Sequence, residues 1–229
     1  MNLSKVNWPK IVLFGDSLTQ RSFDPNDGLW GALLANRLQR ICDVINRGFS
    51  GYTSRQCKIV LPHLYSDKNI SEIKAFVIFL GANDSCKEGS AQHVPLFEYG
   101  KNLTGIIKYL ESVGLCKTNI LLMTPPPYCH QKFSTYCSEN GRPKPAKDNE
   151  TVAEYVNECN KIGEECQVEV VDLYHAMVKE ENWQNFLIDG LHLSRTGSNF
   201  VYNFLWPSIE KRVDVSKMIL PLWNEPVWK

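Results

Sequence analysis

Ser17, Asp189 and His192 are the residues whose types and spacing bear most directly on chemistry. Ser17 stands in Gly15-Asp16-Ser17-Leu18-Thr19, directly after an apolar run at 11–15. Gly15 lets the chain turn sharply off a strand, which would leave the Ser17 hydroxyl exposed at a sheet edge. Backbone N–H groups in such a turn can hold a negatively charged oxygen. The same residues also spell an ordinary turn or helix cap. In Asp189-Gly190-Leu191-His192 a carboxylate stands three positions before an imidazole. A turn there can return the carboxylate to Nδ1, fixing the tautomer and leaving Nε2 free to accept a serine proton. An exposed Asp–His cap before a helix has the same spelling.

Two glycine-containing stretches could complete such a site. Asn46-Arg47-Gly48-Phe49-Ser50-Gly51-Tyr52-Thr53 has glycines flanking a short loop, where a glycine N–H could point at a substrate oxygen. Gly81-Ala82-Asn83-Asp84-Ser85 offers the Asn83 amide, an uncharged donor suited to an oxyanion hole. Singly, each reads equally as a tight connection or an Asx turn.

The elements that must position these residues follow from apolar patterning. Residues 11–15, 75–80 and 119–123 are short continuous apolar runs, as expected of strands covered on both faces. Residues 43–45 and 168–172 read as further strands. Helical spacing begins at Trp30 and marks Leu33, Leu34, Leu38 and Ile41. It recurs at Leu96, Tyr99, Leu103, Ile106 and Leu110 behind Pro95, and again from Val152 to Cys166 after Asp148 or Asn149 as cap. A last helix over about 196–211 turns Val201, Phe204, Leu205 and Ile209 inward. The Pro- and Lys-rich stretch at about 128–147 reads as an irregular insertion loop. The tail, about 213–229, carries Trp223 and Trp228 and is expected to dock on the body. No repeat or linker interrupts residues 1–229, which read as one domain.

Alternating strands and helices predict an open, mostly parallel sheet with helices on both faces. The candidate residues then share one place, because each follows the carboxyl end of an element. Ligands bind there in such sheets. Nucleophile, oxyanion donors and an oriented base are the parts needed for acyl transfer.

In these blocks the chain resembles the SGNH hydrolases, also called the GDSL esterase/lipase family, and within it the isoamyl acetate-hydrolysing esterase subgroup. FGDSLTQ, NRGFSGYTS, GANDS and DGLHLS carry the resemblance, which extends from about residue 11 to about 210. It implies a three-layer, flavodoxin-like α/β/α sandwich of about five parallel strands. It further implies that Ser17 is the nucleophile, His192 the general base and then acid, and Asp189 the residue that orients it. The oxyanion donors would be the N–H groups of Ser17 and Gly51 and the amide of Asn83. No metal or organic cofactor is required, and the partner is a small-molecule ester or lipid ester.

Composition narrows the alternatives. Lys plus Arg and Asp plus Glu are 25 each, with no basic block, which argues against a nucleic-acid partner. No apolar run approaches the roughly 20 residues of a membrane span. No secretory leader is visible, so the expected location is cytoplasmic, with most of the eight cysteines as packed thiols. No G-x-S-x-G, H-E-x-x-H or phosphate-loop pattern occurs. His63, His93, His130 and His175 lack a motif partner and read as structural or surface residues. Two other readings stay open. Asp16, Asp84, Asp189 and His192 could bind metal in a phosphoesterase, or the fold could bind esters or lipids without turnover. Oligomeric state is not legible in the residues.

Overall fold

The computed structural model describes residues 7–143 and 146–224. Among them β1 (Lys10–Gly15), β2 (Asp43–Gly48), β3 (Ile73–Phe79), β4 (Ile120–Met123) and β5 (Glu169–Val171) build one sheet. Its order is β2-β1-β3-β4-β5, with every pair parallel. This is the flavodoxin-like order, in which the strand sequence reverses direction between β1 and β3 and opens a crevice at their carboxyl ends.

Beyond Lys10 and Lys74 at their entries, the central strands are apolar because successive side chains enter opposite layers. Ile11, Leu13, Val77 and Leu121 face one core, and Val12, Phe14, Ile78 and Leu122 face the other. The first layer is closed by α2 (Trp30–Arg37), α7 (Leu173–Val178) and α8 (Arg195–Glu210). The second is closed by α3 (Ser54–Leu64), α4 (Leu96–Ser112) and α6 (Asn149–Cys166). Leu34, Leu103 and Leu205 are fully buried in these layers. Burial of such a side chain contributes about 1.5–3 kcal/mol. The short α1 (Ser17–Gln20) and α5 (His130–Glu139) lie at the carboxyl edge of the sheet.

Several expectations need correction. The stretch expected to be an irregular loop at 128–147 contains α5. Only Cys137 of that helix is buried, and its apolar stripe is short, Phe133, Tyr136 and Cys137. β2 runs to Gly48 rather than ending at Ile45, because its backbone pairs with β1 along six positions although its side chains are only half-buried. Phe204, expected inward, is 38% exposed, whereas Val201, Leu205 and Ile209 are buried as expected. Trp223 is 89% exposed rather than docked, and Trp228 lies outside the described residues. The tail meets the body through Val213, whose side chain is buried in the first core, and through its backbone. The Arg40 guanidinium donates to the carbonyls of Leu220 (2.8 Å) and Pro221 (2.7 Å). All eight cysteines are free thiols, and no helix among the described residues is long and apolar enough to cross a membrane.

Candidate active site

β1 ends at Gly15 because nothing larger fits. A Cβ there would lie 2.3 Å from the Phe79 carbonyl oxygen and 2.4 Å from Thr19 Oγ1. Asp16 then caps α1, its Oδ1 accepting the Leu18 N–H at 2.9 Å. Ser17 is the first residue of that turn and only 6% exposed. Its Oγ lies 3.0 Å from His192 Nε2 across 175 residues of sequence.

His192 is held by Asp189. The ring Nδ1 is 2.6 Å from Asp189 Oδ2, while Asp189 Oδ1 accepts the N–H groups of Leu191 (2.9 Å) and His192 (2.7 Å). The turn requires Gly190 at φ +94°, a left-handed conformation that favours glycine. Burial pushes the Asp189 carboxyl upward. The His192 hydrogen bond and charge, with the two N–H groups, outweigh that effect and hold it below the ordinary carboxylate range. The second nitrogen of the ring is thereby aimed at Ser17 with a fixed tautomer.

The segment containing α5 braces this turn. The Cys129 N–H donates to the Gly190 carbonyl (2.9 Å), and Lys132 Nζ donates to the carbonyls of Gln184 (2.8 Å) and Leu187 (3.0 Å). The stretch therefore supports the turn that carries His192.

Asn83 and Gly51 arrive from the ends of β3 and β2. One N–H of the Asn83 amide donates to the Tyr52 carbonyl at 2.8 Å, which orients the group and leaves its other N–H for a ligand oxygen. Asp84, fully buried, accepts the Ser54 N–H at 2.9 and 3.2 Å, so the end of β3 grips the start of α3. Gly51 sits at φ +82° in the intervening loop, and Gln92 Nε2 donates to its carbonyl at 2.8 Å. The loop is sewn to β1 by the Phe49 N–H on the Gly15 carbonyl (2.8 Å). Next to Asn83 opens a cavity of about 620 Å³, bordered by Cys86, Phe133, Lys147 and Leu191 among others. That volume suits a small organic ligand.

Charge is concentrated beneath the edge. Burial pushes the Asp16 carboxyl up to about 7 and the Asp84 carboxyl up to about 6. Lys147 is 6% exposed and donates from Nζ to the Ala82 carbonyl. In the sequence Lys147 belongs to no motif, and Asp84 carries only a metal-binding reading. The four side chains considered as metal ligands are committed otherwise: Asp16 to a cap, Asp84 to Ser54, Asp189 and His192 to each other. Among the described residues no three His, Cys, Asp or Glu side chains gather as a metal site. His175 does have a partner, contrary to expectation. Its Nδ1 lies 2.7 Å from Asp172 Oδ2 at the same three-residue spacing, but on an exposed helix start.

The parallel sheet, its strand order and its edge site define a hydrolase of the SGNH type. Residues 11–205 match the GDSL-like lipase/acylhydrolase family model, and the chain belongs to that family. It is an ester hydrolase. It is 44% identical over 225 residues to the human (Homo sapiens) protein named isoamyl acetate-hydrolyzing esterase 1 homolog, spanning 97% of this chain and 90% of that protein. A GDSL esterase/lipase of Arabidopsis thaliana is 40% identical over 201 residues, spanning 84% of this chain and 82% of its own length. The crystal structure of the Enterococcus faecalis lipase/acylhydrolase matches with a TM-score of 0.70 at 25% identity, covering 91% of this chain and 99% of that one.

Proposed function

We propose that the chain hydrolyses carboxylic esters of short or medium acyl length through an acyl-enzyme on Ser17. The observation that carries this reading is the hydrogen-bonded line from Ser17 Oγ to His192 Nε2 (3.0 Å) and from His192 Nδ1 to Asp189 Oδ2 (2.6 Å). Ser17 Oγ attacks the ester carbonyl carbon as its proton passes to His192 Nε2. The carbonyl oxygen becomes an oxyanion held by the N–H groups of Ser17 and Gly51 and the free N–H of the Asn83 amide. His192 returns the proton to the departing alcohol oxygen as the C–O bond breaks. Water then adds to the acyl carbon with His192 again taking a proton, and Ser17 leaves with it.

The cavity of about 620 Å³ beside Asn83 gives room for a modest acyl or alcohol group. The human relative's name specifies an acetate ester. The test is kcat/KM for a series from acetyl to palmitoyl esters. Acetyl through decanoyl esters should exceed palmitoyl. Strong activation at a lipid–water interface together with a palmitoyl optimum would overturn the length assignment.

A further inference from the structure

Residues 146–148 run as a strap against the loop that leaves β3. The Lys87 N–H donates to the Ala146 carbonyl at 2.7 Å, and Lys87 Nζ lies 2.5 Å from Asp148 Oδ2. Between these two ties Lys147 turns inward. Its ammonium donates to the Ala82 carbonyl and stands 5.4 Å from the centre of the Tyr128 ring.

A buried ammonium stays charged only where dipoles or fixed negative charge replace its water. Here the replacements are the Ala82 carbonyl, the Tyr128 face and, above the pH at which they ionise, the buried carboxyls of Asp16 and Asp84. Burial pulls the Lys147 pKa down while Cys86, Asp16 and Asp84 oppose the drop. The two acids flank the site in sequence: Asp16 precedes Ser17, and Asp84 follows Asn83. The carbonyl that Lys147 holds belongs to the peptide whose N–H is that of Asn83.

We propose that Lys147 is a positioning residue for Asn83, fixing the Ala82–Asn83 peptide so that the free N–H of the Asn83 amide meets the reacting oxygen. This rests on the reading of Asn83 as an oxyanion donor. Lys147 and Asn83 also border the same cavity, so the strap that holds the donor forms part of the wall around the substrate. The effect of losing Lys147 should fall on the transition state, where the oxygen carries charge, and pass through Asn83 alone.

A double-mutant cycle tests this with p-nitrophenyl acetate as probe. Asn83→Ala should lower kcat by about 10²- to 10³-fold, as for one lost oxyanion donor. Lys147→Met should lower kcat by roughly tenfold or more with KM changed less than about twofold, and in the Asn83→Ala background it should change kcat by less than about twofold. A general loosening of the fold would instead add in both backgrounds. If Lys147→Met melts below the assay temperature, Lys147→Leu, which likewise removes the donor to the Ala82 carbonyl, replaces it in the cycle. Equal losses in the two backgrounds, or a Lys147 variant with full kcat beside an impaired Asn83→Ala, overturn the Lys147 assignment and leave the esterase reading standing. Full kcat in Asn83→Ala overturns the oxyanion role of Asn83 and the Lys147 assignment with it.

Discussion

His192 Nδ1 stands 2.6 Å from Asp189 Oδ2, and the same carboxylate spends its other oxygen on the N–H groups of Leu191 and His192. Asp189 therefore holds both the ring and the turn that carries it. Asp189→Asn keeps the shape but lets an amide N–H face Nδ1, favouring the tautomer whose proton sits on Nε2. We expect kcat to fall by roughly 10³- to 10⁴-fold with KM little changed. Asp172→Asn supplies the control. The Asp172–His175 pair has the same spacing, and among the described residues no serine is hydrogen-bonded to its ring, so its loss should leave kcat intact. Near-normal turnover by Asp189→Asn would reduce the Asp189–His192 pair to a cap like its counterpart.

Gly190 makes the turn possible. At φ +94°, a Cβ would sit 2.5 Å from the Cys129 carbonyl oxygen and 2.6 Å from the Phe133 nitrogen, both backbone atoms of the bracing segment. Gly190→Ala should cost on the order of 1–3 kcal/mol of stability. It should also lower kcat, because the strain is relieved only by moving the Asp189–His192 turn away from α5. Denaturant melts alongside steady-state kinetics check both effects. An alanine variant with unchanged midpoint and turnover would contradict the account of this turn.

Asp16 links pH to stability. Its carboxyl is pushed up to about 7 by burial from an ordinary value of 3.8. A carboxyl with a raised folded-state pKa binds its proton more tightly in the native state. Stability from this group is thus highest below about 3.8 and declines as pH rises toward about 7. Asp84, pushed up to about 6, acts in the same direction. Asp189, held below 3.8, acts in the opposite sense, and its contribution is lost only as pH falls below that value. Asp16→Asn keeps an oxygen for the Leu18 N–H and removes the titration. The variant should gain stability relative to wild type between pH 5 and 8, on the order of a few kcal/mol at most. Urea midpoints across that range measure it. A difference that stays constant with pH would show that Asp16 is ionised throughout.

Much of the positioning frame is legible in the residues, for a physical reason. β1, β3 and β4 are covered on both faces, so beyond Lys10 and Lys74 at their entries they are apolar runs with few other interpretations. The Asp189-Gly190-Leu191-His192 turn is legible because a local spacing sets its geometry. The remaining features depend on distant partners. α5 carries only the short apolar stripe of Phe133, Tyr136 and Cys137, and hydrogen bonds from Cys129 and Lys132 to the 184–190 stretch anchor its beginning. β2 owes its last three residues to pairing with β1. Lys147 lies in a polar, proline-rich stretch where a lysine signals solvent, and only the folded chain carries it under Ala82. Phe204 and Trp223 mislead in the other direction, because apolar residues need not be buried.

The central claim is a covalent one, and the mass of the protein during turnover tests it most directly. Wild type mixed with p-nitrophenyl acetate and quenched in acid should carry one added acetyl group, mapped by peptide mass spectrometry to Ser17. Ser17→Ala should remain folded, take no acetyl group at any position during turnover, and lose roughly 10³-fold or more in kcat. An acetyl group on another residue in wild type, or full hydrolysis by Ser17→Ala, would contradict the assignment of Ser17 as the nucleophile.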